Sequence, residues 1–269
     1  WQMILTNQFH DIIPGSSIGP VYDQSDIDYA KIMYAARNII GDAQETIASK
    51  IAADKGFVVF NPNSFTADAQ VLAVGKTGYV KGIPAKGYAT VSDFKFTNEV
   101  KLDVSFSIGE KKGGGIVETP LLLATFDENW VLTSLYDKKA EREVLKKGCA
   151  GNELRVYADY PDNYDNWEWQ EYSLASYKKL TAVSDVEFIE DGARKGVKIT
   201  RPFMKSTVTQ TMWFCDESAR IDFETHVEWH QRSQMVKAVF DTSNVDCMPL
   251  GDINATISSL IQLNPDIDF

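Results

Sequence analysis

Arg220-Ile221-Asp222-Phe223-Glu224-Thr225-His226-Val227 alternates polar and less polar side chains without a break. Successive side chains of an extended strand point to opposite faces, so Ile221, Phe223, Thr225 and Val227 share one face and the charged groups share the other. This is the period of a half-buried antiparallel strand. The same alternation runs through Val100-Lys101-Leu102-Asp103-Val104-Ser105-Phe106. Outward from these two stretches lie short β-branched and aromatic runs at 57–60, 69–74, 88–92, 116–125, 130–136 and 153–158. Past a loop come others at 183–190, 195–201, 206–214 and 234–240. Strands at such short spacing, with no helical period between them, predict a large antiparallel β-sandwich rather than βαβ units. Gly113-Gly114-Gly115 lacks the frame of a phosphate loop and no helix follows it, so it reads as a hairpin tip.

The amino-terminal part has a different period. Over residues 26–54, Tyr29, Met33, Ala36, Ile40, Ala43, Ile47 and Ile51 recur at alternating spacings of four and three. That predicts one long helix with a seam made for a nearly parallel or antiparallel neighbour. Residues 1–13 are mostly apolar and end at the turn Pro14-Gly15, which is too little chain to cover such a seam. The expectation is a partial helical bundle at 1–54 whose other helices lie outside this chain. A β domain at 55–269 should follow, with an unplaced tail at 248–269. A sandwich that lacked strands would leave open edges prone to self-association, so a homo-oligomer is one expectation.

Composition narrows the function. The chain has 269 residues, 44% of them hydrophobic, enough for a substantial core. A formal net charge of −11 argues against nucleic acid or an acidic membrane as partner, since both need clustered Lys and Arg. Cys149, Cys215 and Cys247 form no C-x-x-C pair and are odd in number, which points to a reducing, cytoplasmic setting. No apolar run reaches the ~18 residues of a membrane span. The sequence opens mid-pattern at Trp1-Gln2-Met3, so further polypeptide is expected ahead of it.

Chemistry concentrates in Asn7-Gln8-Phe9-His10-Asp11-Ile12-Ile13-Pro14-Gly15-Ser16-Ser17. A neutral imidazole is a good zinc ligand, and the neighbouring carboxylate can bind metal, orient a second group or accept bonds from hydroxyls. A His-Asp pair taken alone more often caps a helix end. His226 and His230 lie in a strand pattern and read as sheet-face residues. Between strands, residues 157–169 gather aromatics and carboxylates, with Asp165 and Trp167 placed to meet a sugar: rings stack on its apolar faces and carboxylates bind its hydroxyls. The bland reading of that loop is packing against helices or another domain.

The 7–17 stretch resembles, nearly residue for residue, a segment of the bacterial glycoside hydrolase family 38 α-mannosidases. In eukaryotic members a second His stands where this chain has Phe9. The similarity continues through Val21-Tyr22, Asp28-Tyr29, Phe60-Asn61-Pro62-Asn63-Ser64-Phe65, Glu118-Thr119-Pro120 and Leu135-Tyr136-Asp137-Lys138. It goes on through Arg142-Glu143-Val144-Leu145, Gly151-Asn152-Glu153-Leu154, Tyr164-Asp165-Asn166-Trp167-Glu168, Arg220-Ile221-Asp222-Phe223 and Trp229-His230, and covers residues 1–247.

The resemblance implies a supersandwich of the galactose-mutarotase-like type behind part of a helical bundle. It also implies that His10 is a zinc ligand, that Asp11 binds mannose hydroxyls beside the metal, and that α-mannoside glycans are the substrate. In the family an α/β catalytic domain upstream supplies the nucleophile and a His-x-Asp ligand pair, and no such pair occurs here. Zinc needs about three protein ligands, and a retaining glycosidase needs two carboxylates about 5 Å apart. The chain alone is therefore expected to hold no catalytic zinc and to carry no catalytic residue. The alternative is a non-catalytic carbohydrate-binding or structural sandwich module.

Overall fold

The computed structural model describes residues 1–51, 56–73, 75–91, 101–104, 113–164, 167 and 170–243. Val100, residues 105–108 and the tail 248–269 lie outside them. Two helices, α1 (Gln2–Asn7) and α2 (Gly19–Ala48), precede the strands. These are β1 (Phe57–Asn61), β2 (Ala67–Ala73), β3 (Lys76–Ile83), β4 (Gly87–Val91), β5 (Lys101–Val104), β6 (Gly115–Glu118), β7 (Leu122–Phe126) and β8 (Leu132–Asp137). They continue with β9 (Arg142–Glu143), β10 (Glu153–Ala158), β11 (Tyr177–Lys179), β12 (Asp185–Asp191), β13 (Arg194–Phe203), β14 (Ser206–Cys215), β15 (Ile221–Glu228) and β16 (Gln234–Val239). The chain is thus mainly β, an antiparallel sandwich behind a helical segment.

Helix α2 begins at Gly19, well ahead of the expected start at 26. Pro20 sits in its first turn, where the fixed φ suits a helix and the missing N–H is no loss. The helix stops at Ala48 and tightens beyond it, with Lys50 and Ile51 donating to carbonyls three residues back. Its seam is open: Tyr29, Met33, Ile40 and Ile47 are 38%, 46%, 55% and 45% exposed.

The sandwich pairs a five-stranded antiparallel sheet, β5-β6-β7-β8-β9, with a four-stranded one, β12-β13-β14-β15. Between them Val117, Ala124, Phe126, Trp130 and Leu132 meet Val197, Ile199, Met212 and Phe214, all buried. The Phe126 and Phe214 rings meet edge to face at 6.4 Å. A third sheet, β11-β10-β16, adds a second core in which Leu154, Val156 and Leu180 pack with Val208 of β14.

The expected single run at 116–125 is two strands. Pro120 has no N–H to continue the ladder, and the Thr119 hydroxyl accepts the amides of Leu121 and Leu122 to close a turn. Strands β3, β9 and β11 were not expected. Gly78 and Gly82 dilute the pattern in β3, β9 is two residues long, and Tyr177-Lys178-Lys179 in β11 has no apolar alternation.

The chain divides into two compact units. One comprises Trp1–Ala69, Lys81–Asp93 and Tyr160–Glu171; the other comprises Gln70–Val80, Phe94–Asp159 and Tyr172–Phe269. The first contains both helices and the β1-β4 pair, where the buried Asn61 amide bonds the carbonyls of Phe65, Ile83 and Pro84. The second contains both cores.

On the third sheet, buried Glu153 accepts from Arg155 Nε at 2.6 Å and pairs with Lys179. Burial alone would raise its carboxyl, but the bonds from Lys179 and Arg155 hold it below the ordinary 4.5. A depressed folded value gives stability that is complete above the unfolded value and is lost as pH falls through the folded one. Glu153→Gln should therefore lower the melting temperature at pH 7 and flatten its fall from about pH 4.5 downward. Thermal melts of both proteins between pH 3 and 7 check this, and equal acid slopes would refute it.

Candidate active-site contribution

Helix α1 ends at Asn7, whose buried amide donates to the Met3 carbonyl at 2.9 Å. The chain then turns. Ile12 and Ile13 donate to the Phe9 carbonyl, and Gly15, at φ 82°, lets the backbone reverse toward α2. His10 and Asp11 sit on the outside of this turn with side chains 71% and 46% exposed. His10 Nε2 and Asp11 Oδ2 are 3.6 Å apart, so a nitrogen and a carboxylate oxygen face the same open space. The Phe9 ring lies 4.3 Å from the imidazole, centroid to centroid.

The turn is held by side chains. The Asp11 carbonyl accepts from Ser17 Oγ at 2.8 Å and from the Tyr22 hydroxyl at 3.2 Å, and Tyr22 in turn accepts the Ser17 amide at 2.9 Å. Ser16 Oγ lies 3.4 Å from both the carbonyl and Oδ1 of Asp11.

Trp167 is 54% exposed and its amide donates to the Tyr164 carbonyl in a turn. Tyr160 and Tyr164 beside it are also exposed. This loop falls in the same compact unit as the helices. Asp165 lies outside the described residues. His226 stands on the exposed face of β15, 3.8 Å from Glu228, and the His230 amide donates to Ser206 Oγ. Among the described residues, no three His, Cys, Asp or Glu side chains converge as a metal-binding group. No helix among them is long and apolar enough to cross a membrane.

Most other motif residues hold turns. Glu143 accepts the amides of Leu135 and Leu145 and the Ser134 hydroxyl, bonds that overcome burial and keep its carboxyl below the usual range. Lys138 bridges Glu118 and the Thr119 carbonyl at 2.6 and 2.7 Å. Asp137 accepts the amides of Lys139 and Ala140.

A model of the glycosyl hydrolases family 38 C-terminal domain matches residues 117–247, and one of the alpha mannosidase middle domain matches residues 1–47. The chain belongs to glycosyl hydrolase family 38. The His10-Asp11 turn and nearly all of α2 lie in the matched middle-domain region of this family 38 chain, and both sandwich cores fall in or beside the C-terminal match.

Among its relatives, Alpha-mannosidase 2C1 of Homo sapiens is 23% identical over 251 residues, covering 89% of this chain and 24% of that protein. Alpha-mannosidase G of Dictyostelium discoideum is 24% identical over 295 residues, covering 88% of this chain and 27% of its own length. The family 38 chain thus spans about a quarter of the length of the curated relatives it matches.

Two tryptophans separate surface from core. Trp130 is 1% exposed and packs on Phe126 and Phe188, so Trp130→Ala should cost about 3–5 kcal/mol. Trp167→Ala should stay within about 0.5 kcal/mol, because the ring is mostly in solvent. Chemical denaturation checks both, and a large loss at Trp167 would make it a packing residue.

Proposed function

We propose that this chain is the middle and carboxy-terminal part of a zinc-dependent, retaining α-mannosidase that removes terminal α-linked mannose from glycans. It gains activity only with an α/β domain that supplies the nucleophile and the remaining metal ligands. The observation that carries this reading is the exposed His10-Asp11 pair, inside the region matched by the middle-domain model. Its two donors suit zinc in kind, fall short of the three protein ligands a site needs, and face outward where another domain can complete it. The open seam of α2 and the quarter-length coverage of the relatives fit the same picture.

In this reading His10 offers its imidazole nitrogen to the metal. Asp11 accepts hydrogen bonds from mannose hydroxyls. Trp167 offers an exposed ring to an apolar sugar face, and Asp165 a carboxylate to its hydroxyls. Zinc, when bound, supplies a Lewis acid for sugar hydroxyls. The two carboxylates of a retaining mechanism, about 5 Å apart, belong to the other domain. The free thiols Cys149 and Cys215 suit a reducing, cytoplasmic setting.

The exposed Tyr160, Tyr164 and Trp167 favour a second reading, a non-catalytic carbohydrate-binding module. Calorimetry separates the two. Under the enzyme reading this chain alone gives no heat with mannose or short α-mannosides. In the complete gene product, His10→Ala lowers zinc content and cuts kcat/KM on an aryl α-mannoside on the order of 100-fold. Tight sugar binding by the chain alone, unchanged by His10→Ala, would replace the enzyme with the module.

A further inference from the structure

We propose that Tyr22 is a positioning residue for the His10-Asp11 site: its hydroxyl ties the turn that carries both side chains to the first turns of α2. The inference rests on the reading of that site given above.

The His10-Asp11 turn lies on the surface, so apolar packing does little to fix its geometry. Hydrogen bonds must do it. Among the described residues, the Asp11 carbonyl and the Ser17 amide have no backbone partner, and both bond to side chains. Tyr22 serves the two at once, accepting from the Ser17 amide at 2.9 Å and donating to the Asp11 carbonyl at 3.2 Å. A hydroxyl can do this because it is donor and acceptor together. Ser17 Oγ adds a second bond to the same carbonyl at 2.8 Å.

The 11–17 segment is thereby closed into a ring whose fixed side is a helix of 30 residues. The atoms offered to metal and sugar belong to the residue whose carbonyl is gripped and to the residue before it. A ligand group that must be placed to about 0.5 Å needs this kind of support.

The test uses the complete gene product. Tyr22→Phe keeps the ring and removes the hydroxyl. It should weaken zinc retention about tenfold in chelator competition and raise KM for an aryl α-mannoside by a similar factor. It should also speed exchange of the Ser17 amide about tenfold in the variant. The melting temperature should stay within about 2 °C, because one partly exposed hydrogen bond is worth little globally. Ser17→Ala, which removes the second bond to the same carbonyl, should move zinc retention and KM the same way. Tyr29→Phe is the matched control: it lies on the same helix, and its hydroxyl accepts from the Gln8 amide instead.

Wild-type zinc retention and KM in both Tyr22→Phe and Ser17→Ala, with zinc lost in His10→Ala, overturn the positioning role and leave the site reading intact. Zinc kept in His10→Ala itself overturns the site reading, and this inference with it.

Discussion

The β region depends on one face of β14. Val208, Gln210, Met212 and Phe214 alternate along it, and two different sheets must cover it end to end. Met212 and Phe214 lie under the five-stranded sheet, and Val208 lies under the three-stranded one. Where the two covers meet, the buried Asn152 amide donates to Gln210 Oε1 at 2.5 Å, and Gln210 Nε2 donates to Thr225 Oγ1 at 2.9 Å. A polar group between two oily clusters is costly unless it is bonded, so only the register that joins these three residues is favourable. The approach at this point is close. A Cβ on Gly151 would stand 3.0 Å from Leu145 and 3.1 Å from Leu132.

Arg201 does the corresponding work at the rim. It follows Val197 and Ile199 on the core-facing side of β13 and is buried, donating to the carbonyls of Asn129 and Trp130 in the β7-β8 turn. Burial pulls its guanidinium down to about 10, partly offset by Asp127. It still stays charged at neutral pH and fastens one sheet to the loop end of the other. Glu143, Lys138 and Asp137 do the same for turns within the five-stranded sheet. These clamps lie within the region matched by the C-terminal domain model. The groups suited to metal and sugar sit apart from the clamps, on a short turn ahead of α2 and on an aromatic loop.

Alternation in β15 was legible because its Phe223, Thr225 and Val227 face is drier than its Glu224, His226 and Glu228 face, whereas the long strands β13 and β14 were found from their β-branched and aromatic runs. Elements without such contrast were not legible. Strand β11 is three exposed residues that pair only because β10 offers them an edge, and the turn at Thr119 depends on a hydroxyl whose partners a hydrophobic pattern does not encode. The same limit governs the site. His10 and Asp11 were picked out by residue type and motif. Tyr22 was named only in the Val21-Tyr22 stretch of family similarity and given no role, because its partners are a backbone amide and a carbonyl that no residue pattern encodes. Starting the helix at Gly19 places Tyr22 in its first turns, where the ring can reach back over 11–17.

The open seam and the exposed turn are two ends of one problem. A long helix with little tertiary cover draws most of its stability from propensity, and isolated helices are marginal in water. Fraying at the first turn of α2 would release Tyr22, and with it the Asp11 carbonyl and the Ser17 amide. Any helix laid along Tyr29, Met33, Ile40 and Ile47 buries apolar surface that is now wet, and so favours the helical state of the whole segment. Since Tyr29 is two turns from Tyr22, that cover also steadies the turn carrying His10 and Asp11. A helix laid along the seam and order at the turn would thus be thermodynamically linked, tightening the placement of the imidazole and the carboxylate without touching either.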